Sequence, residues 1–213
     1  PGWIRYGGYY NENNTWWPYF HLYNDYKARL SALLQNVTMQ TNIAILPPND
    51  DMWSTIGAQM EPFPSITNVD YFTLVWEAIN KNGNGCDYVS QRVISNADIK
   101  DGRLNYGRRS YNILFLVHIE SLHPEAARKI YEFVSSGGLV FCVETYPVKS
   151  PGWKDHESKD ELVRDYVEKM KSVPGRFVFL KKPDKDFIGW YREIQERYGI
   201  EPEIKFEQPD PYL

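Results

Sequence analysis

Cysteine, histidine and long apolar runs are the scarce things in this chain of 213 residues. Cys86 and Cys142 are the only cysteines and fall in different expected strands, so inert packed thiols are a better reading than a disulfide framework. His21, His118, His123 and His156 are scattered, with neither an H-E-x-x-H pair nor paired-cysteine spacing, so no metal site is expected. No apolar run approaches the roughly 20 residues that a membrane span requires. A net charge of −4 without a block of like charge excludes the basic stripe of a nucleic-acid surface. After the first expected strand the chain reads Pro47-Pro48-Asn49-Asp50-Asp51, a loop that lacks both a Ser/Thr/Gly phosphate cradle and a G-x-G-x-x-G turn. No cofactor is expected.

What the chain does have is centred on residues 111–146. Ile113–Val117 and Leu139–Val143 are unbroken apolar runs, as parallel strands covered on both faces are. Between them Pro124 suits a first helical turn, and Ala127, Ile130, Tyr131 and Val134 recur on one face. Gly137 and Gly138 then end the helix. This is a right-handed strand, helix, strand unit. Similar reasoning places strands at 42–46, 86–90 and 176–180. It places helices at 15–36, 70–82 and 186–198, and one after a capping box of Ser158 and Glu161. Residues 91–110, with a turn at Asp101-Gly102, read as an irregular crossover, and 147–157 as a long loop. The expectation is an α/β, flavodoxin-like three-layer sandwich whose five parallel strands run in the order 2-1-3-4-5. At this length it buries roughly 70% of the surface of the unfolded chain.

The first 26 residues hold ten aromatics, from Trp3, Tyr6, Tyr9 and Tyr10 to Tyr23 and Tyr26. Two readings stand open. The rings cover apolar surface of a neighbouring domain, or they form a carbohydrate platform in which Trp16 and Trp17 stack on sugar C–H faces while Asn11, Glu12 and Asn13 meet the hydroxyl groups. The start at Pro1 and the closing run Gln208-Pro209-Asp210-Pro211-Tyr212-Leu213 suggest a piece of a longer protein.

In open parallel sheets, ligands sit beyond the carboxyl ends of the strands, which marks Asp50, His118, Glu120, Glu144 and Thr145 for attention. A receiver domain shares the expected topology, and Asp50, Asp51, Thr145 and Lys181 fall near the appropriate strand ends. The third strand, however, ends Val117-His118-Ile119-Glu120, without a phosphoacceptor Asp. A class I glutamine amidotransferase needs its cysteine on a tight elbow between strand and helix, whereas Cys142 lies inside a strand. Glycoside hydrolysis needs a matched carboxylate pair, and Glu12 alone among the acidic residues is embedded in aromatics and amides. No catalytic residue can be assigned.

Asn11-Glu12-Asn13-Asn14-Thr15-Trp16-Trp17-Pro18-Tyr19, the helix from Tyr26 to Gln35, the strand Ile43-Ala44-Ile45-Leu46 and Ser136-Gly137-Gly138-Leu139-Val140-Phe141 carry a resemblance. With them the chain resembles a segment of the bacterial glycoside hydrolases of family 106, the α-L-rhamnosidase family. The Gly-Gly-strand signature is shared with the trimerisation domains of family 42 β-galactosidases and with amidotransferase-like folds. The resemblance implies an accessory domain of a periplasmic or secreted enzyme, between a catalytic (β/α)₈ barrel and β-sandwich modules. Residues 1–25 would then be the tail of the barrel, 26–200 the flavodoxin-like domain and 201–213 an exit segment. Carbohydrate and the neighbouring domains are the implied partners.

Overall fold

Apolar residues alternate between two destinations along every central strand, and this divides the core into two layers. In the computed structural model, which describes residues 10–56, 69 and 71–205, the chain forms two compact units, Pro1–Met39 and Gln40–Leu213.

In the first unit, a 3₁₀ turn at Trp17–Tyr19 leads into helix α1, Phe20–Leu34. Pro18 lies in the 3₁₀ turn rather than in the first turn of one continuous helix from Thr15, because the single helix expected is broken into these two pieces. No residue of α1 is buried. Trp3, Tyr6 and Tyr9 of the leader lie outside the described residues.

The second unit holds β1 (Ile43–Leu46), α2 (Asn49–Ile56), α3 (Tyr71–Lys81), β2 (Cys86–Tyr88), α4 (Gln91–Ser95), β3 (Asp98–Lys100), β4 (Arg103–Tyr106) and β5 (Arg109–Tyr111). It continues with β6 (Ile113–Val117), α5 (Pro124–Ser135), β7 (Leu139–Val143), α6 (His156–Lys171), β8 (Phe177–Leu180) and α7 (Phe187–Tyr198). The large sheet is all parallel, ordered β2-β1-β6-β7-β8. Numbered among themselves, its strands run 2-1-3-4-5, the expected flavodoxin-like order. Ile43, Ile45, Phe115, Val117, Phe141 and Val143 face α3 and α7, packing with Val75, Ile79, Tyr191 and Ile194. Ala44, Leu114, Leu116, Val140 and Cys142 face the other way, against Ile130, Phe133 and Val134 of α5 and Val163 and Met170 of α6. Strands clothed on both faces have no solvent side, which is why their sequences do not alternate.

Three further expectations need correction. Residues 91–110 are not irregular. They contain α4, capped by Ser90 Oγ, and a three-stranded antiparallel sheet, β3-β4-β5. Asp101 and Gly102 both have positive φ, 51° and 69°, as a two-residue hairpin connection requires. The stretch after Pro47-Pro48 is helical from Asn49 rather than an open loop, with Asp50 and Asp51 in the first turn, where acidic groups favour the helix dipole. The Ser158–Glu161 capping box does not form. Helix α6 begins two residues earlier, at His156, and Ser158 Oγ donates to Asp155 O at 3.1 Å. On α3, Trp76 is exposed and the buried stripe is Tyr71, Val75, Ala78 and Ile79. The proposed start of that helix at Asp70, and the closing segment 206–213, lie outside the described residues.

Candidate functional site

The carboxyl ends of β6 and β7 carry an unusual backbone. His118 and Glu144, the residues just past each strand, have φ of 54° and 70°. A side chain held in this left-handed region costs about 1–2 kcal/mol, and such positions cluster at functional sites. Both residues still extend the sheet ladder. The His118 amide donates to Val143 O at 3.0 Å and the Glu144 amide to Leu180 O at 3.0 Å. The turn after β6 is therefore a strained strand-to-helix elbow with an imidazole on it.

Around this elbow the loops are tied by side chains. Asp51 Oδ2 accepts from the amides of Glu120 and Ser121 at 2.9 and 3.2 Å. Buried Gln91 donates to Asp50 Oδ2 at 2.5 Å and to Ser121 O at 3.0 Å, and accepts from the His123 amide at 2.7 Å. The loop before α6 joins the same structure. Val148 N donates to Glu120 O at 2.9 Å, Leu122 N to Lys149 O at 2.9 Å, and Lys149 Nζ pairs with Glu120 Oε2 at 2.7 Å. The ion pair holds the Glu120 carboxyl below its ordinary value and raises the Lys149 ammonium. Asp160 Oδ1 anchors the far end of the loop, accepting from Ser150 N and Oγ at 2.6 and 2.9 Å. These bonds lower the Asp160 pKa.

A cavity of about 170 Å³ opens within this frame, bounded by Asp51, Met52, Ser54, His118, Glu120 and Lys149 among others. His118 Nδ1 is 2.8 Å from the hydroxyl of buried Tyr71, which orients the ring. Asp51 Oδ1 is buried and has no hydrogen-bond partner among the described residues.

The residues expected at strand ends do not all share this place. His118 lines the cavity. Asp50, one residue before Asp51, lines a different cavity of about 380 Å³ with Gln91, Arg92 and His123. Glu144 accepts from the Lys182 amide at 2.6 Å, and Thr145 Oγ1 donates to Ile119 O at 3.2 Å. Tyr71, Lys149 and Gln91 were not marked by sequence reasoning. Their partners lie 29 to 47 positions away for the His118, Glu120, Ser121 and Asp50 contacts, and no local pattern announces them.

Both thiols are withdrawn from chemistry. Cys142 is fully buried, and burial raises its pKa well above the ordinary range. Desolvation pushes Cys86 up to about 12. Among the described residues no group of three or more His, Cys, Asp or Glu is placed to hold a metal ion, and no helix is long and apolar enough to cross a membrane.

In the first unit a turn gathers the leader residues. Asn11 Oδ1 accepts from Asn13 N at 3.0 Å, Asn14 N donates to Asn11 O at 3.1 Å, and Trp17 N donates to Asn14 O at 3.0 Å. The rings of Tyr10, Trp16, Trp17 and Tyr23 all pack on Phe20, with Trp17 stacked at 5.5 Å. Glu12 is exposed on this turn, and Trp16 and Trp17 remain 40% and 38% exposed. The turn that carries Asn11 and Asn13 adjoins the indole cluster through the Trp17 N to Asn14 O bond. No protein-family model matches the chain, and no curated protein or solved structure matches it.

Proposed function

We propose that this chain is a non-catalytic accessory domain of a larger carbohydrate-active glycoside hydrolase, bracing the catalytic barrel and contributing to sugar binding. The observation that carries this reading is α1. Fifteen residues long, it buries none of them, while Leu22, Tyr23, Tyr26, Leu33 and Leu34 are each more than half exposed. A helix owes most of its stability in proteins to packing of an apolar face, so this one is suited to a surface of another domain. The resemblance to family 106 α-L-rhamnosidases supplies the identity of that domain, a (β/α)₈ barrel, and a periplasmic or secreted setting. Further support comes from the carboxyl edge of the sheet. Glu120 is paired with lysine, Glu144 accepts a backbone amide, and Asp51 accepts two. Such carboxylates serve as structural anchors more readily than as proton shuttles.

A second reading, hydrolytic activity of the domain itself, draws on the strained elbow at His118 and its bond to Tyr71. One assay separates the two. The purified chain, offered aryl rhamnosides, aryl galactosides and glutamine, is expected to turn over none of them. Turnover that disappears in His118→Asn or Glu120→Gln would establish the second reading instead.

A further inference from the structure

The bracing role makes no use of the His118 cavity, yet its chemistry is specific. With Nδ1 engaged by Tyr71, the other ring nitrogen of His118 has no partner among the described residues. Asp51 presents a buried oxygen that lacks a donor among the described residues. Ser54 Oγ donates to Asp51 O at 2.7 Å and so keeps its lone pairs for an incoming donor. Met52 and Val69 supply apolar wall, and the Glu120–Lys149 pair stands at the side, each partner more than 40% exposed. The lining is therefore richer in acceptors than in free donors. Its two carboxylates against one ammonium disfavour phosphates and carboxylic acids. A volume of about 170 Å³ encloses about one small ring rather than a whole nucleotide or flavin.

A ligand that fits is small and neutral, has several hydroxyl groups able both to donate and to accept, and has a C–H face for the apolar wall. We propose that this cavity binds a single sugar residue of a neutral glycan, with Asp51 and His118 as the polar contacts that fix it. Two exposed tryptophans adjoin lining residues in the sequence and would meet the rest of such a chain. Trp153, four positions beyond Lys149, is 86% exposed and stacked on His156 at 4.8 Å, while Trp53, between Met52 and Ser54, is 71% exposed. Tryptophan is highly buried on average, and its ring face suits the C–H side of a sugar. The choice of ligand class rests on the carbohydrate-enzyme reading above, whereas the existence of the site rests on the cavity alone.

The test is an NMR titration of the intact chain, following the backbone amide signals of Met52, Ser54 and Glu120 around the cavity, with L-rhamnose, D-galactose, an oligosaccharide ending in each, and ethanolamine as a small cation. A saturable shift is expected with at least one saccharide, weakened tenfold or more in Asp51→Asn and in His118→Gly. Glycine relieves the positive φ, so His118→Gly should lose binding without a lower melting temperature, an outcome that a purely structural role for His118 does not give. Trp153→Ala should weaken the oligosaccharide and spare the monosaccharide. No response to any saccharide, or a response to ethanolamine alone, overturns the sugar site and leaves the accessory role standing. Binding followed by hydrolysis of the oligosaccharide keeps the site and overturns the accessory role.

Discussion

Strand β6 and helix α1 are both rich in large apolar side chains, but their fates are opposite. All five residues of β6 are buried, whereas α1 buries none of its fifteen. The difference lies in what surrounds them. β6 has a hydrogen-bonded strand on each side and a helical layer on each face, while the described residues of the first unit offer α1 only the small aromatic cluster around Phe20. Apolar content shows that a segment needs cover, and only neighbours decide whether cover comes from the same domain.

That contrast can be broken most forcefully in the core. Phe141→Ala should cost about 3–5 kcal/mol in urea unfolding, since Phe141 is fully buried and packs on Phe115 at 4.8 Å. Leu33→Ala in α1, 75% exposed, should stay within about 0.5 kcal/mol in this chain. A comparable loss at both positions would show α1 to be covered after all. Gly138→Ala should cost about 1–3 kcal/mol by overpacking, because an added Cβ would run into the Phe133 ring. Cys142 should resist a bulky maleimide in the native chain and react only on unfolding. Labelling at the rate of a free thiol would mean that the layer between β7 and the helices opens readily.

The smallest effect concerns the loop clasp and depends on pH. Glu120 has its pKa lowered, chiefly by the hydrogen bond from Lys149, so its contribution is present above its ordinary value of 4.5 and is lost as pH falls through the lower folded value. Both partners are exposed, which limits the pair to about 0–1 kcal/mol after solvent screening. Melting curves of Glu120→Gln should therefore match the parent at acid pH and fall slightly below it near neutrality. An equal deficit at all pH values would assign the loss to packing.

The fold was largely legible because its governing signals are local. Ile113–Val117 and Leu139–Val143 declare themselves by lacking polar residues, and Pro124 and Gly137 mark the limits of α5. The stretch 91–110 was opaque because its strands are only three or four residues long and largely polar, so periodicity had too little length to register. Helix α2 was hidden behind two prolines and a pair of aspartates that read equally well as a turn. At the site, strand-end reasoning found His118 and Glu120 but marked Asp50, which lines a different cavity, in place of its neighbour Asp51. The pairing of Lys149 with Glu120 depends on how two loops meet, and that information is not local.

The chain beyond α7 is fastened at the other end of the sheet. Ile204 N donates to Gly83 O at 3.0 Å, while Asn84 Nδ2 donates to Glu201 O and Glu203 Oε2, both at 2.9 Å. Asn84 Oδ1 in turn accepts from Tyr191 and Gln195 of α7. A pull transmitted along residues 201–205 would therefore load Gly83 and Asn84, at the entrance to edge strand β2, before it could peel α7 from the sheet. The knot acts as a mechanical stop. Under force, its few side-chain bonds should break together as a discrete step ahead of any extension of the central strands.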